Sequence, residues 1–121
     1  MNPSQAAMAK PTVHVMCSPD VPEKAFWQLL YGLEEEGIPC ETWTKTDADA
    51  LALAWEGAQA SRLGVGIGMD GQAAVLHISK LEFGHPLFQV PVRSAGQVRI
   101  LGANAARVVK KLPLKPLGEG R

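Results

Sequence analysis

The sequence has no net charge and no long apolar run, and both absences exclude classes of protein. Its 121 residues contain 12 Lys and Arg and 12 Asp and Glu, so charge gives no reason to bind nucleic acid or an anionic membrane. No apolar run approaches the ~18 residues that a membrane span requires. Residues 1–10, MNPSQAAMAK, lack the apolar segment of a signal peptide, and we expect residues 1–11 to be a disordered tail. The sequence thus predicts a soluble protein.

Cysteine is scarce. The chain contains Cys17 and Cys40, and each lies in a segment that has the composition of a strand. Free buried thiols are the usual state of such cysteines in a cytosolic domain. A disulfide or a shared metal ion is the less favoured alternative.

Recognisable catalytic motifs are also missing. His14, His77 and His85 show neither HxxxH nor HxH spacing, and no nucleophile motif accompanies them. We expect His14 and His77 to be hydrogen-bonded strand residues and His85 to lie in a loop. The GK[ST] sequence of an ATP-binding loop is absent from the chain. We therefore predict no catalytic residue and no cofactor bound by the chain alone.

The remaining sequence predicts one α/β domain over residues 12–114, followed by a flexible tail at 115–121. A content of 46% hydrophobic and 20% charged residues is typical of a soluble globular domain. Strands and helices alternate along most of the chain, which favours helices that cover a mixed sheet. Strands are predicted at 12–17, 38–44, 63–69, 72–78 and 87–90, and helices at 22–37, from 46 onward, and at 94–111.

Helical spacing assigns a buried side to each predicted helix. We expect Thr46 to cap the second helix and Ser94 to cap the third, while Gly37 ends the first. Gly102 and Asn104 inside the third helix predict close packing and an interface contact. The predicted buried stripes are Phe26, Leu29, Leu30 and Leu33 in the first helix, Leu51, Ala54, Trp55 and Ala58 in the second, and Val98, Leu101, Ala105 and Val108 in the third.

Glycines alternate in the segment LGVGIGM, residues 63–69, and leave one face of the predicted strand without side chains. Another element must therefore approach that face closely. Asp70-Gly71 follows and predicts a type I′ hairpin turn between two antiparallel strands. The same residues, 66–71, also match GxGxxG. A dinucleotide-binding loop would need a helix after these glycines, whereas β-forming residues follow, so strand packing and a turn are favoured over nucleotide binding.

The outer side of the first helix carries two aromatic residues and a carboxylate. At about 100° per residue, Glu35 faces away from the buried stripe, and Trp27 and Tyr31 lie between that stripe and Glu35. Exposed Trp and Tyr beside an acid are typical of a protein interface. A solvated acidic helix end is the alternative. We predict a partner interface at Trp27, Tyr31 and Glu35.

Three segments resemble one known family. They are YGLEEEGIPC at 31–40, VGIGMDGQAAVLH at 65–77 and ILGANAARVVKKLP at 100–113. In this order they resemble the small subunit of glycerol or diol dehydratase reactivating factors, over roughly residues 12 to 114. The resemblance implies a three-layer α/β/α domain with a mixed, mostly parallel sheet of about five strands, one of them antiparallel. The medium subunit of the dehydratase itself shares the fold and is the alternative identity.

The resemblance also implies a function and partners. It implies a non-catalytic subunit of a chaperone-like complex that replaces damaged cobalamin in a B12-dependent dehydratase, beside an actin-like ATPase large subunit. Glu35 matches the position that contributes to a Mg²⁺ site shared with the large subunit, and Glu34 or Glu36 would replace it if the alignment shifts. The implied location is the cytoplasm or a bacterial microcompartment.

Overall fold

A computed structural model describes residues 11–118, so residues 1–10 of the tail predicted at 1–11 and the last residues, 119–121, lie outside the described part. Five strands and three helices follow one another in the predicted order. In chain order they are β1 (Val13–Cys17), α1 (Glu23–Glu35), β2 (Cys40–Thr44), α2 (Ala50–Ala60), β3 (Val65–Met69), β4 (Ala73–Ile78), β5 (Phe88–Pro91) and α3 (Ala95–Lys110). None of the helices within the described residues is long and apolar enough to cross a membrane.

The five strands form one sheet in the order β2-β1-β3-β4-β5. β1 pairs in parallel with β2 and with β3, whereas β4 pairs antiparallel with both β3 and β5. Only β4 therefore runs against the other four strands. α1 and α3 pack together on one face of the sheet and α2 covers the other, which confirms the predicted three-layer α/β/α fold.

The larger part of the core lies between the sheet and the α1/α3 layer. Leu29, Leu33 and Leu101 are fully buried there against alternate residues of the strands. The predicted stripes of α1 and α3 are confirmed at their centres, while Phe26, Leu30 and Val108 at their margins are partly buried. α1 ends where predicted, with Gly37 at a φ of +74°.

The other face of the sheet is bare where the glycines alternate. A Cβ atom on Gly66 or Gly68 would lie closer than 3.0 Å to backbone atoms of α2. The predicted close approach is therefore confirmed, and the approaching element is helix α2. Side chains on this face of β3 would push the helix away from the sheet.

The buried side of α2 differs from the prediction. Leu53, Ala54, Gly57 and Ala58 are buried, whereas Leu51 and Trp55 are only partly buried. The close approach to β3 explains the shift, because small residues must face the glycines. Trp55 lies at the side of the contact, where its ring meets His77 with centroids 5.3 Å apart.

Two local predictions near the start of α2 and the β3–β4 hairpin are wrong. Asp49, not Thr46, caps α2, because its carboxylate accepts a hydrogen bond from the Ala52 N–H at 2.9 Å. The hairpin between β3 and β4 is present, but Asp70 and Gly71 do not adopt the positive φ of a type I′ turn. The Asp70 carboxylate instead accepts hydrogen bonds from the N–H groups of Gln72 and Ala73, each at 2.8 Å, and from that of Ala50 at 3.0 Å. Asp70 thus joins the hairpin to the start of α2.

α3 is covered on more than one side. Residues 101–106 are all buried, although the side chain of Ser94 does not cap the helix as predicted. The fully buried Asn104 side chain donates a hydrogen bond to the Lys115 carbonyl at 2.9 Å and accepts one from the Lys115 N–H at 2.7 Å. Residues 112–118 therefore lie along α3. The predicted flexibility of the tail beyond residue 114 stays a prediction.

Candidate functional site

The α1 and α3 helices lie unusually close together. A Cβ atom on Gly32 would come closer than 3.0 Å to the Arg99 carbonyl oxygen, and one on Gly102 would do the same to the Leu29 carbonyl oxygen. The two helices can make this contact only because both positions are glycine. Their outer sides consequently form one continuous surface.

Two large aromatic side chains stand on this outer surface. Trp27 is 45% exposed and Tyr31 is 42% exposed. Their rings are stacked, with centroids 6.2 Å apart and an interplanar angle of 30°. The Arg99 guanidinium lies 5.9 Å from the Tyr31 ring centroid, within the range of a cation–π contact. The surface therefore presents a preformed row of aromatic rings with a cation at one end.

Glu35 lies beside this row, as predicted, and it is paired. Its carboxylate accepts a hydrogen bond from Arg99 and forms an ion pair with the guanidinium. The row of Trp27, Tyr31, Arg99 and Glu35, which we call the α1/α3 surface, thus spans both helices. Arg99 holds both the carboxylate and the aromatic ring in place.

The other two acids of the EEEG segment have different surroundings. Glu34 is exposed, whereas the Glu36 carboxylate accepts a hydrogen bond from Lys110 Nζ at 2.9 Å and lies 3.4 Å from Arg107 Nε. The hydrogen bond from Lys110 lowers the pKa of Glu36, and the charges of Arg107 and Lys110 add to the effect against a smaller opposing effect of burial. Glu36 is therefore engaged within the chain, and it is less available to a partner than Glu35.

Sequence reasoning missed the pairing of three basic residues on α3 with the acids of α1. Arg99, Arg107 and Lys110 are eight and three residues apart, a spacing that places them on one side of a helix. The signal was present in this spacing and in the opposite charges at the end of α1. The spacing predicts a basic side of α3, but which acids it meets depends on how α1 and α3 pack.

The part of the chain that the structure describes contains no complete metal site. Within residues 11–118, no group of three His, Cys, Asp or Glu side chains is placed to hold a metal ion. Glu35 offers a single carboxylate at the surface. Since Mg²⁺ is bound through oxygen atoms and keeps several waters, one carboxylate can add to a site but cannot build it.

The three histidines lie apart from one another. His77 is fully buried, and its Nε2 lies 3.0 Å from the Phe83 carbonyl oxygen, so the predicted hydrogen-bonded strand position is confirmed. The His14 ring packs at a tilt against Trp43, with ring centroids 4.5 Å apart, and burial lowers the pKa of His14 against the opposing charge of Glu41. His85 is exposed in the loop before β5, as predicted.

The cysteines and the glycine motif show no chemistry of their own. Cys17 and Cys40 are both free thiols, which confirms the favoured prediction. Burial raises the pKa of Cys17 to about 11 and also raises the pKa of Cys40, with the charge of Glu41 adding to the latter. Thiols with raised pKa values are poor nucleophiles at neutral pH. The GxGxxG residues are used for packing and for the hairpin, as predicted.

Comparison with known proteins then decides the family. A family model described as dehydratase medium subunit matches residues 10–115. The propanediol dehydratase-reactivating factor small subunit of Salmonella typhimurium is 38% identical over 91 residues, which are 74% of this chain and 78% of that protein. The diol dehydratase-reactivating factor small subunit of Klebsiella michiganensis is 37% identical over 91 residues, 74% of this chain and 73% of that protein.

The chain belongs to the family of dehydratase-reactivating factor small subunits. A solved structure of a glycerol dehydratase reactivase agrees, with a TM-score of 0.84 and 38% identity over 90% of this chain and all of that one. A diol dehydratase-reactivating factor complexed with ADP and Mg²⁺ has a TM-score of 0.83 and 31% identity, over 89% of this chain and all of that one. The resemblance given by the three sequence segments is therefore confirmed.

Membership of this family makes the chain an accessory subunit and favours the reactivating factor over the dehydratase medium subunit. The family does not by itself assign roles to individual residues. The interface at Trp27, Tyr31 and Glu35, and the metal role of Glu35, stay predictions.

Proposed function

We propose that this chain is the non-catalytic small subunit of a chaperone-like reactivase that exchanges damaged cobalamin for adenosylcobalamin in a B12-dependent glycerol or diol dehydratase. One observation carries the proposal. The similarity to reactivating-factor small subunits extends through the sequence, at 38% identity over 91 residues, and through the fold, at a TM-score of 0.84. We expect the protein to act in the cytoplasm or in a bacterial microcompartment.

In this proposal a large, actin-like partner subunit hydrolyses ATP. The chain itself has no GK[ST] sequence, and its GxGxxG glycines face helix α2 and the hairpin. The solved diol dehydratase-reactivating factor that resembles it was complexed with ADP and Mg²⁺. These observations support a complex in which the small subunit binds the large subunit and the large subunit hydrolyses ATP.

The α1/α3 surface is the part of the chain that we assign to the large subunit. Trp27 and Tyr31 are already stacked, so little side-chain freedom is lost when a partner covers them. Glu35 would complete a Mg²⁺ site built mainly by the large subunit. Because Arg99 pairs with Glu35 in the isolated chain, the metal ion would have to share the carboxylate with the guanidinium or displace it.

The first experiment identifies the partner. A tagged copy of the chain should co-purify with an actin-like ATPase, and the isolated chain should neither hydrolyse ATP nor convert a diol. Recovery of a dehydratase large subunit in its place would favour the medium-subunit alternative. ATPase activity in a preparation free of the large subunit would contradict the proposal.

The second experiment tests the surface and the metal. Glu35→Gln should leave the fold intact and weaken binding of the large subunit when Mg²⁺ is present. Adding a chelator should not weaken the binding of this variant any further. Trp27→Ala should weaken binding by tenfold or more with or without the metal, as expected of an aromatic anchor. Glu34→Gln is the matched control, because it removes a neighbouring exposed carboxylate from the same helix. Equal effects of the two Gln variants would show that the metal role of Glu35 is wrong.

A further inference from the structure

Strand β2 forms one edge of the sheet and is exposed along nearly its whole length. Residues 41–44 are exposed, and Trp43 leaves 39% of its surface in solvent. The strand, CETWT, contains no proline, which is one of the devices that protect natural sheet edges from pairing. β2 is therefore open to a further strand.

The hydrogen bonds to β1 show which backbone groups of β2 are free to pair. The Lys45 N–H donates to the Cys17 carbonyl at 2.8 Å, and the Pro39 carbonyl accepts from the Val13 N–H at 3.1 Å. Backbone groups in a strand alternate in direction, so the odd-numbered residues face β1. The N–H and C=O groups of Cys40, Thr42 and Thr44 consequently point outward from the edge of the sheet.

A cleft lies beside this edge on the α2 face of the sheet. It has a volume of about 320 Å³ and is lined by His14, Met16, Trp43 and Ala60, with Lys45 and Glu56 at its side. Its floor is largely apolar and aromatic, since the His14 ring packs at a tilt against Trp43. An aromatic side chain from a strand added to the edge would find room over this cleft.

The charges on the α2 face of the sheet indicate which strand fits this edge. Glu41 and Trp43 in β2 alternate with Lys45, the residue directly after the strand, and the Lys45 N–H still bonds to β1, so the three share one face of the sheet. If a second β2 runs antiparallel with the two Trp43 residues opposite each other, each Glu41 lies opposite a Lys45 of the other copy. Thr42 then lies opposite Thr44, and both have outward-facing backbone groups, as a hydrogen-bonded pair requires.

We propose that β2 pairs antiparallel with β2 of a second copy of this chain, in the register centred on Trp43, to give one ten-stranded sheet. In this register the backbone groups match, the two Glu41–Lys45 pairs are attractive, and the two Trp43 rings meet where cross-strand side chains are closest. The Lys45 ammonium contacts Glu56 within its own chain and would be shared between two carboxylates. The proposal does not depend on the reactivase function, because the α1/α3 surface lies on the other face of the sheet.

The pairing should be weak, because two five-residue strands bury less area than a stable dimer needs. We expect a dissociation constant on the order of 100 μM, typical of a small transient interface. Sedimentation velocity of the full chain between about 10 and 500 μM should therefore show a monomer that converts to a dimer. A monomer over the whole range would overturn the proposal.

Charge reversal tests whether the occupant is a second copy. Glu41→Lys and Lys45→Glu should each lower the association constant about tenfold, because the two-fold symmetry applies the change twice. The double variant Glu41→Lys/Lys45→Glu should restore association, since both pairs become attractive again. Failure of the double variant to recover, with circular dichroism showing intact folding, would contradict the self-pairing. Glu82→Lys is the control, because it reverses an exposed charge in the loop before β5, at the opposite edge of the sheet.

Cross-linking tests the register with Trp43 left in place. Thr42→Cys and Thr44→Cys variants are made in a Cys17→Ser/Cys40→Ser background, because Cys17 is paired with Thr44 across β1 and β2. They should form a disulfide with each other when mixed under mild oxidation, because opposite residues lie about 5.5 Å apart at Cα. Neither variant should cross-link alone. Self-linking of the Thr42→Cys variant would indicate pairing centred on Thr42, and would overturn the proposed register.

Discussion

The two helical layers cover the sheet in opposite ways. α2 rests on β3 through bare backbone, because Gly66 and Gly68 leave no side chain between helix and strand. The α1/α3 layer contacts the sheet through large aliphatic side chains such as Leu29 and Leu101, and shows aromatic residues on its outer side. One layer is thus built for close packing on the sheet, while the other carries the exposed aromatic residues that we propose as a partner surface.

The largest loss of stability should come from a change at the contact between α2 and the glycines of β3. Gly68→Ala should destabilise the fold by about 3 kcal/mol, at the upper end of overpacking effects, because the added Cβ meets the α2 backbone, which cannot move as a flexible side chain would. Urea denaturation followed by circular dichroism measures this loss. Gly84→Ala is the control, since an added Cβ there has no neighbour within 4 Å. Equal stability of the two variants would mean that α2 does not rest on bare backbone.

A smaller effect should come from the segment that covers α3. Asn104→Ala removes both hydrogen bonds to the Lys115 backbone and should cost about 2 kcal/mol. Hydrogen exchange should also become faster in residues 112–118, and not in α2. Gln97→Ala, which removes one exposed hydrogen bond to the Gly118 carbonyl, is the matched control. Unchanged exchange in the Asn104 variant would show that Asn104 does not hold this segment.

The link between the hairpin and α2 should depend on pH. Burial raises the pKa of Asp70, but hydrogen bonds from the N–H groups of Ala73, Gln72 and Ala50 outweigh it, and the pKa is lowered overall. A lowered folded pKa stabilises the protein above the unfolded value of about 4, and this stabilisation is lost as the pH falls through the folded pKa. Asp70→Asn should therefore cost about 1 kcal/mol at pH 7 and progressively less towards pH 3. A cost that does not change with pH would show that the charge of Asp70 contributes nothing.

The smallest effect on stability should come from the outer surface. Arg99→Gln breaks an exposed ion pair with Glu35 and should change the free energy of unfolding by less than about 1 kcal/mol. The same variant should weaken binding of the large subunit, because Tyr31 loses the cation beside it. A large loss of stability with unchanged binding would show that this outer surface serves folding and not the binding of a partner.

The sequence predicts the order of the elements well, because each one carries a local signal. Alternating glycines indicate the close contact at β3, and Gly37 marks the end of α1. The cap of α2 and the type of the hairpin turn are harder to predict from local sequence. The reason is that the Asp70 carboxylate accepts a hydrogen bond from the Ala50 N–H, 20 residues away. The pairing of Glu35 with Arg99 spans 64 residues and depends on how α1 and α3 pack. Local patterns place Glu35 on the outside but do not reveal its partner.

The most direct test of the proposed function follows the exchange itself. If the chain occupies the docking site of the large subunit until the dehydratase replaces it, the two must compete, and mass action sets the direction of exchange. Native mass spectrometry of the reactivase mixed with cobalamin-inactivated dehydratase should show free small subunit and a complex of dehydratase with the large subunit. A stable assembly that contains all three would contradict the exchange.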